Sequence, residues 1–468
     1  MAIAHTAGLE PFSTRALKLA DIPFPLGLDG STKIPKTLTS LVNCFNAEGD
    51  IINRPGITEL NTTSLVARGQ FVWNENLYQV VSTSLIKITD VVTGAFSVIG
   101  TIAGTEDIDF AIGFNHAVII SKGANGYTLD SSDTLTQIVD VNFLSSVSVT
   151  HMNGRFIYVP ADGSPAFFSD VGNGASIQTN SFFDAEELPD KNTVCFNFNN
   201  ILYIGGTDSF ELFRDEGDTI SGPVPYVRLN ARISYGYIGG IQEYGDTFVF
   251  CGREKDQDVG IFAIDRGRAV KLSNELIDTI LISYKQTQLQ NIKANRLKWR
   301  GYDLVTFKLP NDSFGFYKGN WFLLTTQVSN ETEQWSADHI TQFGLKYYVA
   351  HSDKIGVFAD VPTDYGNNFE GTIDLGFEEE NDFTVNSLTL NISQGFNTGL
   401  GSVALQLSHD NVTYSQPFYR PTGAIGQYSN QLSWKYPGGL GYYYGFMGIR
   451  ITTTENVNFS ASKLVLDI

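Results

Sequence analysis

The stretch CFNFNNILYIGGTDSFELFRDEGDTISGPVPYVRLNARISYGYIGG, residues 195–240, decides how the chain is read. It opens with an apolar strand, turns at Asn199 and Asn200, returns through a second strand at 201–204, turns at Gly205 and Gly206, and enters a third strand at 210–213. Asn and Gly stand where a tight hairpin needs positive φ, so the segment reads as a β-meander.

The same unit recurs along the chain. FVWNENLYQV turns near Glu75, FAIGFNHAVII near Phe114, VTHMNGRFIYV at Gly154, CFNFNNILYIG at Asn200, IQEYGDTFVFC at Gly245, LKWRGYDLVTF at Gly301 and ITQFGLKYYVA at Gly344. Successive anchors are 39, 40, 46, 45, 56 and 43 residues apart, and a four-stranded propeller blade takes roughly 40 to 50. Each anchor precedes a run alternating in apolar residues, the period of a half-buried strand. A blade cannot bury both faces alone, so the units predict an all-β, propeller-like ring of about six to seven blades. An irregular β-sandwich with evenly spaced hairpins is the competing arrangement.

Composition bounds the function. A chain of 468 residues is expected to hold two or three domains. With 45 glycines, 13% aromatic and 17% charged residues, it suits many strands and tight turns. A net charge of -19 argues against gripping nucleic acid, since that affinity comes from Lys and Arg displacing counterions. It leaves room for double-stranded DNA that passes through without tight binding. Cys44, Cys195 and Cys251 are odd in number and far apart, and read as buried free thiols of a protein folded in a reducing compartment.

The first residues, MAIAHTAGLEPF, lack the basic and apolar regions of a secretory signal, and no window of 18 uninterrupted apolar residues makes a membrane segment. Residues 1–37 carry Pro11, Pro23, Pro25 and Pro35 with little periodicity, and read as an arm extended over a neighbouring surface or subunit, or as a disordered tail. The propeller is expected over 38–362. LVNCFNAEGDIINRPGITEL, from Leu41, reads as two short strands around Gly49 that complete the last blade and cover its open edge. After the acidic GFEEENDF at 376–383, six short strands read as a C-terminal β-sandwich at 370–468. Within it SHDNVTY, from Ser408, looks like a shortened Asp-box hairpin without its glycine, a feature that stabilises a turn.

Two departures from the repeat attract functional readings. Residues 214–237 are longer than a blade turn needs and carry both signs of charge around Pro223 and Pro225, so Arg214, Asp215, Asp218, Arg228 and Arg232 are candidates for a subunit or adaptor interface. Residues 271–300 hold the one convincing helix, an insertion at about 271–292. Ser273 is its expected cap, Glu275 lies in its first turn, and Leu276, Ile277, Ile280, Leu281 and Tyr284 form an apolar stripe for packing on the ring. At its end Lys293, Arg296, Lys298 and Arg300 make the most basic octet, a candidate contact for DNA in a channel or for an acidic partner, and otherwise a solvated face.

No nucleotide-binding loop, nucleophile elbow or zinc-protease motif occurs, and the six histidines have no zinc-ligand spacing, so no enzyme, cofactor or metal is expected. The runner-up is a β-propeller lectin or glycan-processing protein with a β-sandwich appendage. Trp73, Trp299, Trp321, Trp335 and Trp434 would stack on sugars, although aromatics on strands are more often core.

One ordered set of segments carries a family resemblance: VNCFNAEGDIINRPGI at 42–57, TDSFELFRDEGDTISGPVPYVRLNARISYGYIGG at 207–240, LSNELIDTILISY at 272–284, YDLVTFKLPNDSFGFYKGNWFLL at 302–324, LQLSHDNVTYSQP at 405–417 and GFMGIRITT at 445–453. Together they resemble the packaged-DNA stabilisation or tail hub proteins of the head-to-tail connector of short-tailed phages, over about residues 41–468. The resemblance implies a structural virion protein made and assembled in the host cytoplasm. It implies a homo-hexameric hub or nozzle below the portal that closes or extends the DNA channel, stabilises packaged DNA, meets a portal-side adaptor and carries tail fibre, spike or needle proteins. It brings no catalytic residues. Six copies of so acidic a chain would repel DNA phosphates and favour sliding during ejection. Deleting residues 218–225 is expected to leave a folded monomer with impaired ring assembly on its adaptor, checked by mass photometry; normal rings would assign the loop another task.

Overall fold

The computed structural model describes residues 18–31, 34–183, 190–217, 224–265, 267–329, 331–393, 401–422, 429–453 and 460–468. Seven four-stranded antiparallel blades follow one another among the described residues, five as separate sheets and the sixth and seventh as parts of larger ones. Six are sequential meanders, starting at the strands Ala67–Trp73, Ile108–Ile112, Ser146–Met152, Asn192–Phe198, Gly236–Tyr244 and Lys293–Trp299. The seventh takes three strands from His339–Phe343, Lys346–His351 and Lys354–Ala359, and its fourth from the N-terminal Gly56–Thr62, with Ile57 opposite Phe358. The innermost strands touch in sequence and the seventh blade touches the first, so the ring is closed.

Alternation along each strand is what joins the blades. On His116–Ser121, Ala117 and Ile119 enter one core with Phe71, Tyr78 and Leu85 of the first blade, while Val118 and Ile120 enter another with Phe156, Tyr158 and Phe167 of the third. Both faces are buried, which is why this strand reads as an unbroken apolar run. The other blade interfaces repeat the arrangement: Phe168 and Phe183 meet Leu202 and Phe213, and Tyr203 and Phe210 meet Phe248 and Phe250. Leu77 and Ile86 meet Tyr348 and Ile355 where the ring closes. Cys44, Cys195 and Cys251 are free and buried, and burial pushes each thiol well above its usual range.

The N-terminal region departs from expectation. Of the segment expected to close the last blade, only its end, from Gly56, does so. Ile34–Val42 instead lies between the outer strand of the sixth blade, through Val42 and Leu323, and the sandwich strand Thr372–Glu378. Cys44–Ala47 and Asp50–Asn53 form a hairpin that joins the second sandwich sheet through Ile51 and Ala461. The reason is apolar: Leu41, Cys44, Phe45 and Ile51 are buried in one core with Ile373, Leu390, Ile449 and Leu464. The described part of the arm also lies on its own chain, with Leu19–Ile22 paired to Ser460–Asp467 and Ile22, Phe24 and Leu28 buried.

The sandwich is thus built from both ends of the chain. One sheet orders Cys44–Ala47, Asp50–Asn53, Ser460–Asp467, Ser387–Ser393 and Asn430–Lys435; the other runs from Ile34–Val42 through Thr372–Glu378, Phe446–Thr453 and Ser402–Ser408 to Phe418–Pro421. The Asp-box-like turn fastens it. Asp410 accepts from the backbone N–H groups of Val412 and Thr413 and from the Ser408 hydroxyl, and these bonds hold its carboxyl down to about 2. Asn411, at φ 61°, takes the left-handed position of the missing glycine and donates to the carbonyls of Pro35 and Leu38.

The helical insertion is two pieces, α1 (Glu275–Ile282) and α2 (Gln286–Leu289). Asn274, not Ser273, caps α1 by accepting from the Ile277 N–H; the Ser273 hydroxyl bonds Ile261 and Asp278 instead. Leu276, Ile277 and Leu281 are buried between the fifth and sixth blades, as the stripe predicts. The basic octet belongs to no helix, because Lys293–Trp299 is the innermost strand of the sixth blade.

One buried ion pair sits where these parts meet. Arg54 donates to both carboxylate oxygens of Asp364, at 2.9 and 2.6 Å, with side chains 2% and 0% exposed. Its other donors reach Asn43 Oδ1 and the carbonyls of Pro55 and Thr325, and its plane lies 3.8 Å from the Phe369 ring. Replacing Asp364 by Asn leaves that guanidinium buried without its counter-charge, a loss of about 3–5 kcal/mol. A D364N variant is expected to unfold at clearly lower urea, while the double change R54M/D364L costs less than D364N alone.

Candidate functional site

The inner strands enclose a well of about 750 Å³ on the propeller axis. Its polar lining comes from blades far apart in sequence, with Asp107, Asp109 and Lys122 from the second blade, Lys191 from the entry to the fourth, and Lys293 and His339 from the sixth and seventh. Lys293 Nζ stands 3.3 Å from Asp107 Oδ1 and 3.3 Å from His339 Nε2. Asp109 Oδ2 is engaged from the next blade, accepting from Ser148 Oγ at 2.8 Å and the Val149 N–H at 3.0 Å, while Oδ1 accepts from the Phe110 N–H. Gln286 and Gln290, at the ends of α2, line the same well. Gly239 permits that approach: a Cβ there would stand 2.2 Å from the Leu289 carbonyl oxygen.

Beside the well a second set bridges the sixth and seventh blades. Lys308 Nζ lies 2.7 Å from Asp338 Oδ1, and His351 Nδ1 lies 2.8 Å from Asp338 Oδ2. Burial opposes charge on Asp338, yet His351 and the ammonium groups of Lys308 and Lys293 hold its carboxyl well below the usual range. Burial, then the neighbouring Lys293, pushes His339 down to about 4. A neutral imidazole fits the geometry, since Lys293 can only donate and Nε2 must accept. The pairs Lys293–Asp107 and Lys308–Asp338 each join two blades. Among the described residues no group of His, Cys, Asp and Glu is placed to hold a metal ion.

The four basic residues do not share a surface. Alternation on their strand sends Lys293 to the well and Arg296 to Asp303, which it engages through two bonds of 2.8 and 2.6 Å. Arg300, on the turn, pairs with Asp360, and Lys298 is exposed. The candidate interface residues stand closer together. Arg214 and Asp215 end the strand Phe210–Asp215, and Arg228 and Arg232 lie on Tyr226–Ile233, the outermost strand of the fourth blade, so much of the expected loop is sheet. Arg214 pairs with Glu216, Asp215 accepts from Asn153 at 2.9 Å, and Arg228 approaches the buried Glu211 at 3.6 Å. Asp218 lies outside the described residues.

The tryptophans offer no sugar platform. Trp73, Trp321, Trp335 and Trp434 are buried, and Trp299 packs part-buried against the largest core. Sequence reading missed Asp107, Lys308, Asp338, His339 and His351 as a group. Asp107 and Lys293 are 186 residues apart, and nothing local marks them as partners.

The His339 environment has a pH consequence. A free imidazole titrates near 6.5, whereas in the fold it does so near 4. The folded state then binds fewer protons, so this contribution to stability is complete above pH about 6.5 and is lost as pH falls towards 4. The urea midpoint of the wild type is expected to drop more between pH 7 and pH 5 than that of an H339Q variant. Equal drops would show that His339 is not held neutral.

Comparison with known proteins follows the two-part architecture. A search of curated proteins returned no match. Among solved structures the chain is similar to PorZ of Porphyromonas gingivalis at 11% identity and TM-score 0.40, covering 70% of this chain and 44% of that one. It is similar to BamB from Moraxella catarrhalis at 12% identity and TM-score 0.37, covering 73% and 97%. It is also similar to the extracellular domain of BT4673 from B. thetaiotaomicron at 9% identity and TM-score 0.45, covering 85% and 59%. Likenesses this remote carry no functional inference. Two family models do: that of bacteriophage P22 Gp10, beta-propeller, matches residues 31–360, and that of bacteriophage P22 Gp10, beta-sandwich, matches residues 373–466. Propeller and sandwich together place this chain in the bacteriophage P22 Gp10 family, and it is a structural tail protein of a phage virion.

Proposed function

We propose that the protein is a hub or nozzle below the portal, a ring of six copies that extends or closes the DNA channel, retains packaged DNA and carries tail appendages. The observation that carries this reading is the match of both domains, in order, to one family of phage tail proteins. The chain's chemistry is compatible with it. The candidate basic residues Lys293, Arg296 and Arg300 are each paired with an aspartate of the same chain, so a net charge of -19 is not relieved by a phosphate-binding surface.

The channel in this proposal lies between copies and not along the propeller axis. A well of about 750 Å³ crossed by the Lys293–Asp107 ion pair and lined on one side by α2 is not an open bore for a duplex. Retention is then steric, by ring closure and a terminal plug. Lys298 and Arg300 are the exposed members of the basic octet, and with Arg300 paired to Asp360, Lys298 is the one proposed to meet DNA or an acidic partner. The strand pair holding Arg214, Asp215, Arg228 and Arg232 is the proposed contact with a neighbouring copy or a portal-side adaptor. The protein is assembled in the host cytoplasm and acts without catalysis.

Particles assembled without the protein are expected to lose their DNA after packaging, and the purified chain to bind duplex DNA weakly. Each phosphate contact contributes about -0.9 to the slope of log affinity against log salt. A slope corresponding to several contacts, or particles that keep their DNA in the protein's absence, would overturn the steric account.

A further inference from the structure

The axial well holds more hydrogen-bond donors than the fold uses. Asn192, which opens the innermost strand of the fourth blade, lines the well and is 5% exposed. Buried polar groups are as a rule paired, yet its side-chain amide has no hydrogen-bond partner among the described residues. Lys122 is exposed on the same lining, and no carboxylate among the described residues pairs with it. Lys191 donates to a neutral partner, the Ala161 carbonyl, at 2.6 Å. Lys293 reaches Asp107 only at 3.3 Å, whereas Lys308 and Lys87 meet their aspartates at 2.7 and 2.8 Å. Charge-assisted bonds ordinarily close to about 2.7–2.9 Å, so the ammonium group in the well is the loosely held one.

The acceptors of the well are largely engaged. Asp109 receives Ser148, Val149 and Phe110, and Asp107 Oδ1 and His339 Nε2 share the Lys293 ammonium. Burial, then the Asp109 carboxylate, pushes the Tyr237 hydroxyl above its usual range, so this lining side chain keeps its proton and donates. Glu106 also lines the well, but it is exposed, where water and salt screen its charge. Ile108, Val147, Val194, Ile238 and Ile292 add an apolar wall.

We propose that the well binds one small organic oxyanion, a phosphate or carboxylate group on an apolar body, with Lys122, Lys293 and the Asn192 amide around its charged end. An oxyanion supplies the acceptors that these donors lack, and it lets Lys293 exchange a long contact for a short one. A cationic ligand would meet three ammonium groups, and an uncharged one would leave Lys122 unmatched. A cavity of about 750 Å³ with polar groups converging on an apolar wall suits a molecule of that kind. The site lies within one chain, so it stands or falls independently of the hub reading.

The test is isothermal titration calorimetry of the full-length protein with phenyl phosphate and with benzoate, and with phenol as the uncharged comparison. Saturable one-to-one binding is expected of at least one anion and not of phenol; which anion binds tells a phosphate site from a carboxylate site. K122Q and N192L are each expected to weaken that binding about tenfold or more. The control K346Q removes an exposed lysine at the hairpin turn of the seventh blade and is expected to change nothing. Because the Asn192 amide bonds nothing in the fold, N192L is expected to keep the wild-type urea midpoint, a result that a structural amide would not give. Absence of saturable binding of both anions by the wild type, equal binding of phenol, unchanged binding in both K122Q and N192L, or an equal loss in K346Q would overturn the proposal.

Discussion

The Arg54 and Asp364 pair is the constraint on which the architecture turns. Arg54 lies between the sandwich hairpin and the strand that closes the seventh blade, and Asp364 lies just after that blade, one bridge from Ile57. Thr326, which follows the sixth blade, donates to the same carboxylate at 2.7 Å, and Asn43 receives Arg54 while bonding Thr325 and Glu370. A buried pair of this kind adds little net stability over apolar groups of equal volume, because desolvation offsets the Coulomb gain. Its value is geometric: donors and acceptors are all satisfied only when the closing strand, the blade linkers and the sandwich hairpin occupy their places together.

The domains are therefore not separable by cutting the chain once. Residues 34–62 supply one strand to the edge of the sixth blade and the sandwich, two to the second sandwich sheet, and one to the seventh blade. Neither the ring nor the sandwich is complete until the N-terminal strands meet residues more than 300 positions away, as in Ser40 with Asp374. Such pairings are slow to form, since loop closure precedes any reward from contact. The intervening blades rely on local hairpins and on side chains shared with the next blade.

Charge follows the same logic. The chain is acidic overall, yet two cations at and beside the axial well are neutralised within the fold, Lys293 by Asp107 and Lys308 by Asp338. Buried charges are tolerated only when paired, and of the basic residues that look most available in the sequence, Lys293 bonds across blades and Arg296 bonds within its own. What remains outside is mostly carboxylate, which leaves the described surface acidic.

The repeat was legible in the sequence, because hairpin turns need Asn and Gly and alternating apolar residues mark strands whatever surrounds them. All seven anchors sit at the turn between the first two strands of a blade, from Glu75 to Gly344. The helix stripe at Leu276, Ile277 and Leu281 was legible for the same local reason. Tertiary structure alone decided which strand closes the ring and where each charge goes. A strand such as Ile34–Val42 pairs equally well with any open edge by its backbone, and its place is fixed only by the apolar faces and the buried Arg54 that meet it. Likewise, Lys293, Arg296, Lys298 and Arg300 lie together in the sequence, but alternation sends Lys293 to the face opposite Arg296 and Lys298, and the paired ones find their aspartates on other blades or the facing strand. Local periodicity encodes elements; the choice among equivalent edges and partners is made by burial, which depends on residues hundreds of positions away.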